Sequence, residues 1–263
     1  METKSSIIPE NFASEVIIVS DIHIRDEHDD RHKLFCDLLD SLNANNSKTI
    51  VLNGDIFDFC FGPAQFYQKK FTHIGSRLSN LSKAGVEVIF VEGNHEFHIK
   101  NIAWDGVHYP KQDNFLIETS DAKKILLCHG DTIVEDVKYR LFRNFVKSRF
   151  TKFFVNLLPG SVIDALCLRY ASHSRSQDQY RSLNHDRILG FAKNLVNKHA
   201  ADYLVFGHFH FPYFHPAGTN RFVASVHSWD RPNALCYNQG ELFRLSLSDD
   251  GVFVTEEVKH LPE

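Results

Sequence analysis

Five apolar runs in this 263-residue sequence each end in side chains that can hold a cation. Residues 15–20 lead to Asp21 and His23, residues 49–53 to Gly54, Asp55 and Asp58, and residues 86–91 to Glu92-Gly93-Asn94-His95-Glu96. Residues 124–128 lead to His129, and residues 202–207 to His208 and His210. Carboxylate, amide and imidazole donors without thiolate suit Mn²⁺, Fe, Zn²⁺ or Mg²⁺. Asp21 and His23 are two apart, as are His208 and His210, and in an extended segment such pairs face one side. The seven donors Asp21, His23, Asp55, Asn94, His129, His208 and His210 exceed what one ion with an open position can use. Two divalent ions about 3.5–4 Å apart, sharing one carboxylate, would use them all, lower the pKa of a water between them and stabilise both oxygens of an in-line displacement. The chemistry this donor set points to is phosphoester hydrolysis.

Side chains so placed need elements that bring them to one point. Each run is rich in Val, Ile, Leu or Phe and reads as a buried strand. Leu34, Leu38, Leu39 and the following Leu42 predict a helix over 31–43, and residues 66–84 predict a second covering helix. The β-α-β-α-β order implies right-handed crossovers, so three parallel strands deliver their carboxyl ends to one edge. Gly54 permits a sharp turn there. After His210 the pattern is β: Phe211-Pro212 and His215-Pro216 mark a turn, residues 221–226 a strand, and 241–247 and 252–258 flank a hairpin turn at 249–251. These strands are expected to complete a second sheet packed on the first.

The ordered set Asp21-x-His23, Gly54-Asp55-x-x-Asp58, Gly93-Asn94-His95-Glu96, His129 and Gly207-His208-x-His210 resembles the calcineurin-like metallophosphoesterase superfamily over residues 16 to 215. The resemblance implies an α/β fold of four layers, α/β/β/α, with a core of 1–135 and 201–263 and a helical cap insertion at 136–200. It implies one metal held by Asp21, His23, Asp55 and His210, and another by Asp55, Asn94, His129 and His208. Within the superfamily, His129-Gly-Asp-Thr132 followed by Asp136, Tyr139 and Arg143 is similar to the UDP-2,3-diacylglucosamine pyrophosphatases of lipid A biosynthesis. Those enzymes cleave the diphosphate of a nucleotide-linked lipid, typically with Mn²⁺, and the likeness implies substrate contacts from Asn94, Asp136, Tyr139 and Arg143. The chain departs at two positions, with His95 where Arg is usual and Asp58 where Glu is usual. In other branches that His contacts the scissile phosphate or protonates the leaving group, oriented by that Asp. His95 and Asp58 are thus the expected catalytic pair, and a phosphoprotein or nucleotide phosphoesterase is the alternative. A scaffold without activity is disfavoured, since no ligand position is substituted.

The segment 136–200 differs from the rest. Phe142, Phe145, Val146, Phe150, Phe153, Phe154, Leu157 and Leu158 recur at helical spacing among Lys138, Arg140, Arg143, Lys147, Arg149 and Lys152, and no acid interrupts residues 137–163. A basic, aromatic amphipathic helix reads as an element for an anionic membrane surface or an acidic, lipid-linked ligand, with Arg169, His173, Arg175, Arg181 and His185 as further phosphate contacts. A net charge of −4 excludes a globally basic nucleic-acid binder. The basic residues interleave with a Phe/Leu stripe and form no separate groove, so no nucleic-acid partner is expected. The five cysteines, Cys36, Cys60, Cys128, Cys167 and Cys236, are widely spaced and read as reduced, mostly buried thiols. With no signal-peptide pattern and no run near the roughly 18 apolar residues of a membrane span, the expected compartment is the cytoplasm, with peripheral membrane contact.

Overall fold

The computed structural model describes residues 6–133, 137–155, 158–160, 162–165, 169, 185–211 and 213–258; within the first insertion helix, the side chains of 138–140 and 142 lie outside the description. Two sheets stack face to face. The larger has seven strands in the order β14-β13-β12-β1-β2-β4-β6, with β1 (Ser14–Val19), β2 (Ser47–Asn53), β4 (Glu87–Val91) and the short β6 (Val107–His108) parallel. The smaller has five, in the order β10-β11-β9-β8-β7, with β8 (Lys124–Cys128), β9 (Tyr203–Phe206) and β11 (Arg221–Ser225) parallel and β7 (Asn114–Glu118) antiparallel to β8.

The alternation of side chains along each strand explains why the runs are continuously apolar. In β1, Ile17 and Val19 face α1 (Asp30–Ser41) and its neighbours, while Val16 and Ile18 face the second sheet. In β9, Tyr203 and Val205 face the first sheet, while Leu204 and Phe206 meet α6 (His185–His199) through Ile188, Ala192 and Val196. Strands buried on both faces carry no polar alternation. Three apolar layers between four structural ones make the α/β/β/α sandwich. Helix α6 lies within the 136–200 segment expected as the insertion, yet it supplies the outer helical layer over the second sheet.

Several expectations need amendment. Residues 66–84 form two helices, α2 (Gln65–Lys70) and α3 (Thr72–Lys83), broken at Phe71, whose ring stacks on Phe57 at 3.9 Å. Packing of that ring into the core turns the backbone out of helical geometry (φ −107°, ψ 18°). The strands after His210 divide between the sheets: β10 (Phe214–Gly218) and β11 extend the second, whereas β12 (Asn233–Asn238), β13 (Glu241–Leu247) and β14 (Phe253–Glu257) extend the first beside β1. Pro216, read as a turn marker, sits in edge strand β10, where a missing N–H costs no ladder bond. The hairpin turn at 249–251 forms as expected, with Gly251 at φ 77°. Cys36, Cys60, Cys128 and Cys236 are buried and outside any disulfide; Cys167 lies outside the described residues. Among the described residues, no helix is long and apolar enough to cross a membrane.

Candidate metal centre

The parallel strands β1, β2, β4, β8 and β9 end beside one another, and backbone hydrogen bonds knit their loops together. Asp21 N–H donates to the Gly54 carbonyl at 3.1 Å, His23 N–H to Asp55 O at 3.0 Å, and Gly207 N–H to His129 O at 2.7 Å. A short parallel pair, β3 (Cys60–Phe61) with β5 (Glu96–Phe97), ties the β2 loop to the β4 loop, and Cys60 N–H donates to His95 O. At Gly54 (φ 85°) a Cβ would lie 2.5 Å from His129 Nδ1, so glycine there admits the imidazole.

Asp21, His23, Asp55, His208 and His210 all have φ between 53° and 67°. The left-handed region costs a non-glycine residue on the order of 1–3 kcal/mol and persists only where the surroundings over-determine it. This geometry also replaces the expected extended pairs. Asp21 and His23 converge through left-handed turns rather than along a strand. His208 and His210 diverge: His208 joins Asp55 and His129, while His210 joins Asp21 and His23, each set having its ligand-type atoms within 4.8 Å of one another.

Asp55 joins the two sets, because its oxygens face different ways. Oδ1 lies 3.3 Å from His129 Nε2 and accepts from His95 N–H at 2.9 Å, while Oδ2 lies 4.0 Å from His23 Nε2 and 3.9 Å from His95 Nε2. Asn94 Oδ1 is 2.9 Å from His129 Nε2, and His210 Nε2 is 3.2 Å from Asp21 Oδ1. All seven expected ligands therefore come together. His95 also forms a ligand-type set with His23 and Asp55. Its Nδ1 lies 2.6 Å from the backbone carbonyl of Asp58, so the contact that fixes its tautomer runs through that carbonyl, while the Asp58 carboxylate lies 3.7 Å from Arg25 Nε.

The electrostatics suit divalent cations. Burial lowers His23 to about 3 and His208 to about 4, leaving neutral imidazoles with available lone pairs. Both ring nitrogens of His23 are buried with no hydrogen-bond partner; such a group costs about 1–3 kcal/mol that a bound ion would recover. Burial opposes ionisation of Asp55, but His129 and His95 outweigh it and hold the carboxyl well below its usual range. Burial likewise opposes a proton on His129, and Asp55 overrides it, raising the imidazole well above the usual histidine range. A cation would supply the positive charge that this proton now supplies.

Residues 14–212 match the calcineurin-like phosphoesterase family. The chain belongs to that family. Curated relatives include the UDP-2,3-diacylglucosamine hydrolase of Pseudomonas entomophila (strain L48), 27% identical over 207 residues and covering 76% of this chain and 83% of the relative. The enzyme of the same name from Haemophilus influenzae (strain PittGG) is 28% identical over 201 residues, covering 73% and 81%. Among solved structures, Chaetomium thermophilum Vps29 is similar with a TM-score of 0.49 and 10% identity, covering 94% of this chain and 98% of that one.

In this family member three residues without an expected role hold the ligand-type side chains in place. Glu96 accepts N–H bonds from Asp55 at 2.8 Å, Gly93 at 3.0 Å and Phe57 at 3.0 Å, so one carboxylate fastens two ligand loops. Burial and the Asp55 charge push Glu96 up to about 8, against those donors. The Asn53 carbonyl lies 3.0 Å from His129 Nδ1, which directs Nε2 at Asp55 and Asn94. Ser20 Oγ donates to the Asn53 and Gly54 carbonyls. Glu96 closes the Gly-Asn-His-Glu block and Asn53 is the polar end of an apolar strand; those were the available signals.

The insertion meets the centre through charge. Helix α4 (Val137–Val146) buries Arg143, whose guanidinium binds Asp113 at 2.6 and 3.0 Å and lies 3.1 Å from Asp131. Lys147 Nζ is 2.6 Å from Glu92 Oε1. Arg143, expected to touch substrate, is thus engaged by two carboxylates. The Tyr139 side chain, Asp136, His173, Arg175 and Arg181 lie outside the described residues; Arg169 is exposed, and His185 stacks on Phe211 at 4.6 Å.

Proposed function

We propose that this family member hydrolyses the diphosphate of a nucleotide-linked, acylated sugar of the UDP-2,3-diacylglucosamine type with two divalent ions, Mn²⁺ foremost. The observation that carries the reading is Asp55, whose two oxygens face two separate His/Asp sets beside an insertion with exposed aromatic residues. Asp21, His23, Asp55 and His210 would hold one ion, and Asp55, Asn94, His129 and His208 the other. Ions so held would supply Lewis-acid charge to phosphoryl oxygens and make water a nucleophile near neutral pH.

This chain's own residues do the rest. With Nδ1 of His95 donating to the Asp58 carbonyl, a second proton would sit on Nε2, and it is this imidazolium N–H that would pass a proton to the leaving oxygen or bind a phosphoryl oxygen. Asp58 then positions His95. The cap proper is the part of the insertion ahead of α6: α4 and α5 (Arg149–Val155). It turns its apolar side outward, with Leu141, Phe145, Phe150, Phe153 and Phe154 between 52% and 72% exposed, while Arg143 and Lys147 face the core. That surface supports acyl chains, or an anionic membrane approached through Arg149 and Lys152. Arg143 is a tether for this cap rather than a direct substrate contact. Tyr139 and Asp136 are retained as substrate contacts by the family likeness.

The activity for which the relatives are named supports the same choice, at 27–28% identity over most of their length. The His95–Asp58 pair supports the alternative, a phosphoprotein or nucleotide phosphoesterase. An assay with UDP-2,3-diacylglucosamine, a phosphopeptide and a cyclic nucleotide, each with Mn²⁺, decides between them. Release of UMP from the first at a kcat/KM far above the others is the expected result; preference for either of the others would overturn it.

A further inference from the structure

A second opening adjoins the metal centre at the end away from the cap. It is a cleft of about 410 Å³ lined by His23, Arg25, Asp26, His28, Asp29, Arg31 and Asp58. His23 and Asp58 form its inner wall, so it is continuous with the Asp21–His23–His210 set. The cap lies on the His129 side, because Arg143 ties it at 3.1 Å to Asp131, which follows His129 by two residues. A substrate spanning both ions therefore has an apolar surface beyond one and a polar cleft beyond the other.

The lining of that cleft mixes donors and acceptors. Arg25 lines the cleft, 58% exposed, with Nε 3.7 Å from Asp58 Oδ2. Arg31 is held by the Ile22 carbonyl at 3.0 Å and by Asp230 at 2.7 Å. Asp29 accepts N–H bonds from Arg25 and Arg31, and Asp26 accepts one from His28; each carboxylate also has capacity for a hydroxyl donor. A purely anionic ligand would meet three carboxylates here, and a purely cationic one would meet two arginines. A nucleoside offers what fits: hydroxyl donors for the carboxylates, and a planar ring with carbonyl acceptors for a guanidinium. Ligand pockets begin at about 300 Å³, so the volume is sufficient.

We infer that the cleft of Arg25, Asp26, His28, Asp29 and Arg31 is the nucleoside subsite, holding ribose and base while the attached phosphoryl group lies over the metal centre. The inference rests on the phosphoesterase reading of that centre, and it sets the direction of the substrate, with nucleoside beyond His23 and acyl sugar beyond His129.

Equilibrium binding tests it without turnover, using metal-loaded protein with UMP and methyl phosphate as probes. Wild type is expected to bind UMP about tenfold or more tightly than methyl phosphate, a gain of roughly 1.4 kcal/mol. Arg25→Ala should remove most of that advantage while methyl phosphate affinity moves less than about twofold, and Arg25→Lys should restore only part of it. Asp26→Asn, which keeps an acceptor but no charge, should weaken UMP more than 2′,3′-dideoxy-UMP. Equal affinity of wild type for the two first probes would sink the proposal. So would Arg25→Ala weakening both equally, because Arg25 would then act through Asp58 and His95. If UMP binds through Arg25 but UDP-2,3-diacylglucosamine is not cleaved, the lipid reading fails and the nucleoside subsite stands.

Discussion

Charged side chains turn inward both in the strand-end loops and at Arg143 and Lys147 of the insertion, but the insertion also exposes phenylalanines. In the loops, charged and polar side chains turn inward, buried and cross-bonded, on a backbone that accepts left-handed conformations to aim them. In α4, α5 and the turn between them Phe145, Phe150, Phe153 and Phe154 turn outward, while Arg143 and Lys147 face the protein, held by Asp113, Asp131 and Glu92. A helix packed for stability would place them the other way. The loops fix their side chains by buried contacts, and the insertion leaves Phe145, Phe150, Phe153 and Phe154 exposed. Stability and function should therefore separate differently in the two regions.

Removing the shared carboxylate is the most severe way to break the first region. Asp55→Asn is expected to lower kcat/KM by on the order of 10³ or more, the scale of losing a central catalytic group, with bound metal falling from two ions toward one by elemental analysis. Full occupancy with normal turnover would refute the bridging role. His95→Ala comes next, with an expected loss of about 10²–10⁴ in kcat at unchanged metal content; near-normal turnover would show that Nε2 does no proton work. Glu96→Gln probes the support beneath them. An amide cannot accept all three N–H bonds equally well, and leaving one unsatisfied costs about 1–3 kcal/mol, so the melting temperature should fall by several degrees with the activity.

The first region was readable from the sequence because its two determinants are local: apolar runs that make strands, and polar residues at their ends. The split of His210 toward Asp21 and His208 toward Asp55 was available only through the family resemblance, since spacing alone put His208 and His210 on one side and the split depends on single left-handed residues. Glu96 had no visible role because its partners, Asp55 and Phe57, are about forty residues away. The break at Phe71 depends on Phe57 in another loop. For the insertion, spacing identified an amphipathic helix and left open which face would turn outward. That choice is made by Asp113, Asp131 and Glu92, all outside the insertion.

Substitution on the exposed face sharpens the contrast. Phe150→Ser with Phe153→Ser and Phe154→Ser should change stability by no more than about 0.5 kcal/mol per site, as for ordinary surface positions. The same variant should raise KM for the acylated substrate and reduce sedimentation with anionic vesicles. A large fall in melting temperature without either effect would make this face structural.

The smallest effect concerns acid, and it separates the metal centre from its surroundings. His227 follows β11 as the ligands follow their strands, but it joins none of the ligand-type sets found among the described residues. Burial and then the nearby Arg244 lower it to about 4. A histidine with a folded pKa below its unfolded value near 6.5 contributes stability that is complete above 6.5 and lost progressively as pH falls toward 4. His23 and His208 shift in the same direction for the same first cause, but bound cations would hold them neutral against acid. Metal loading should therefore suppress most of the acid sensitivity and leave the part that belongs to His227. Melting curves of metal-loaded protein between pH 7.5 and 5 should show a residual decline of about 2–4 °C, the scale of 1 kcal/mol in a chain of this size, and His227→Gln should flatten it. If the decline persists unchanged in His227→Gln, the residual sensitivity lies in the centre itself, and the ions do not hold its histidines as the geometry of Asp55 implies.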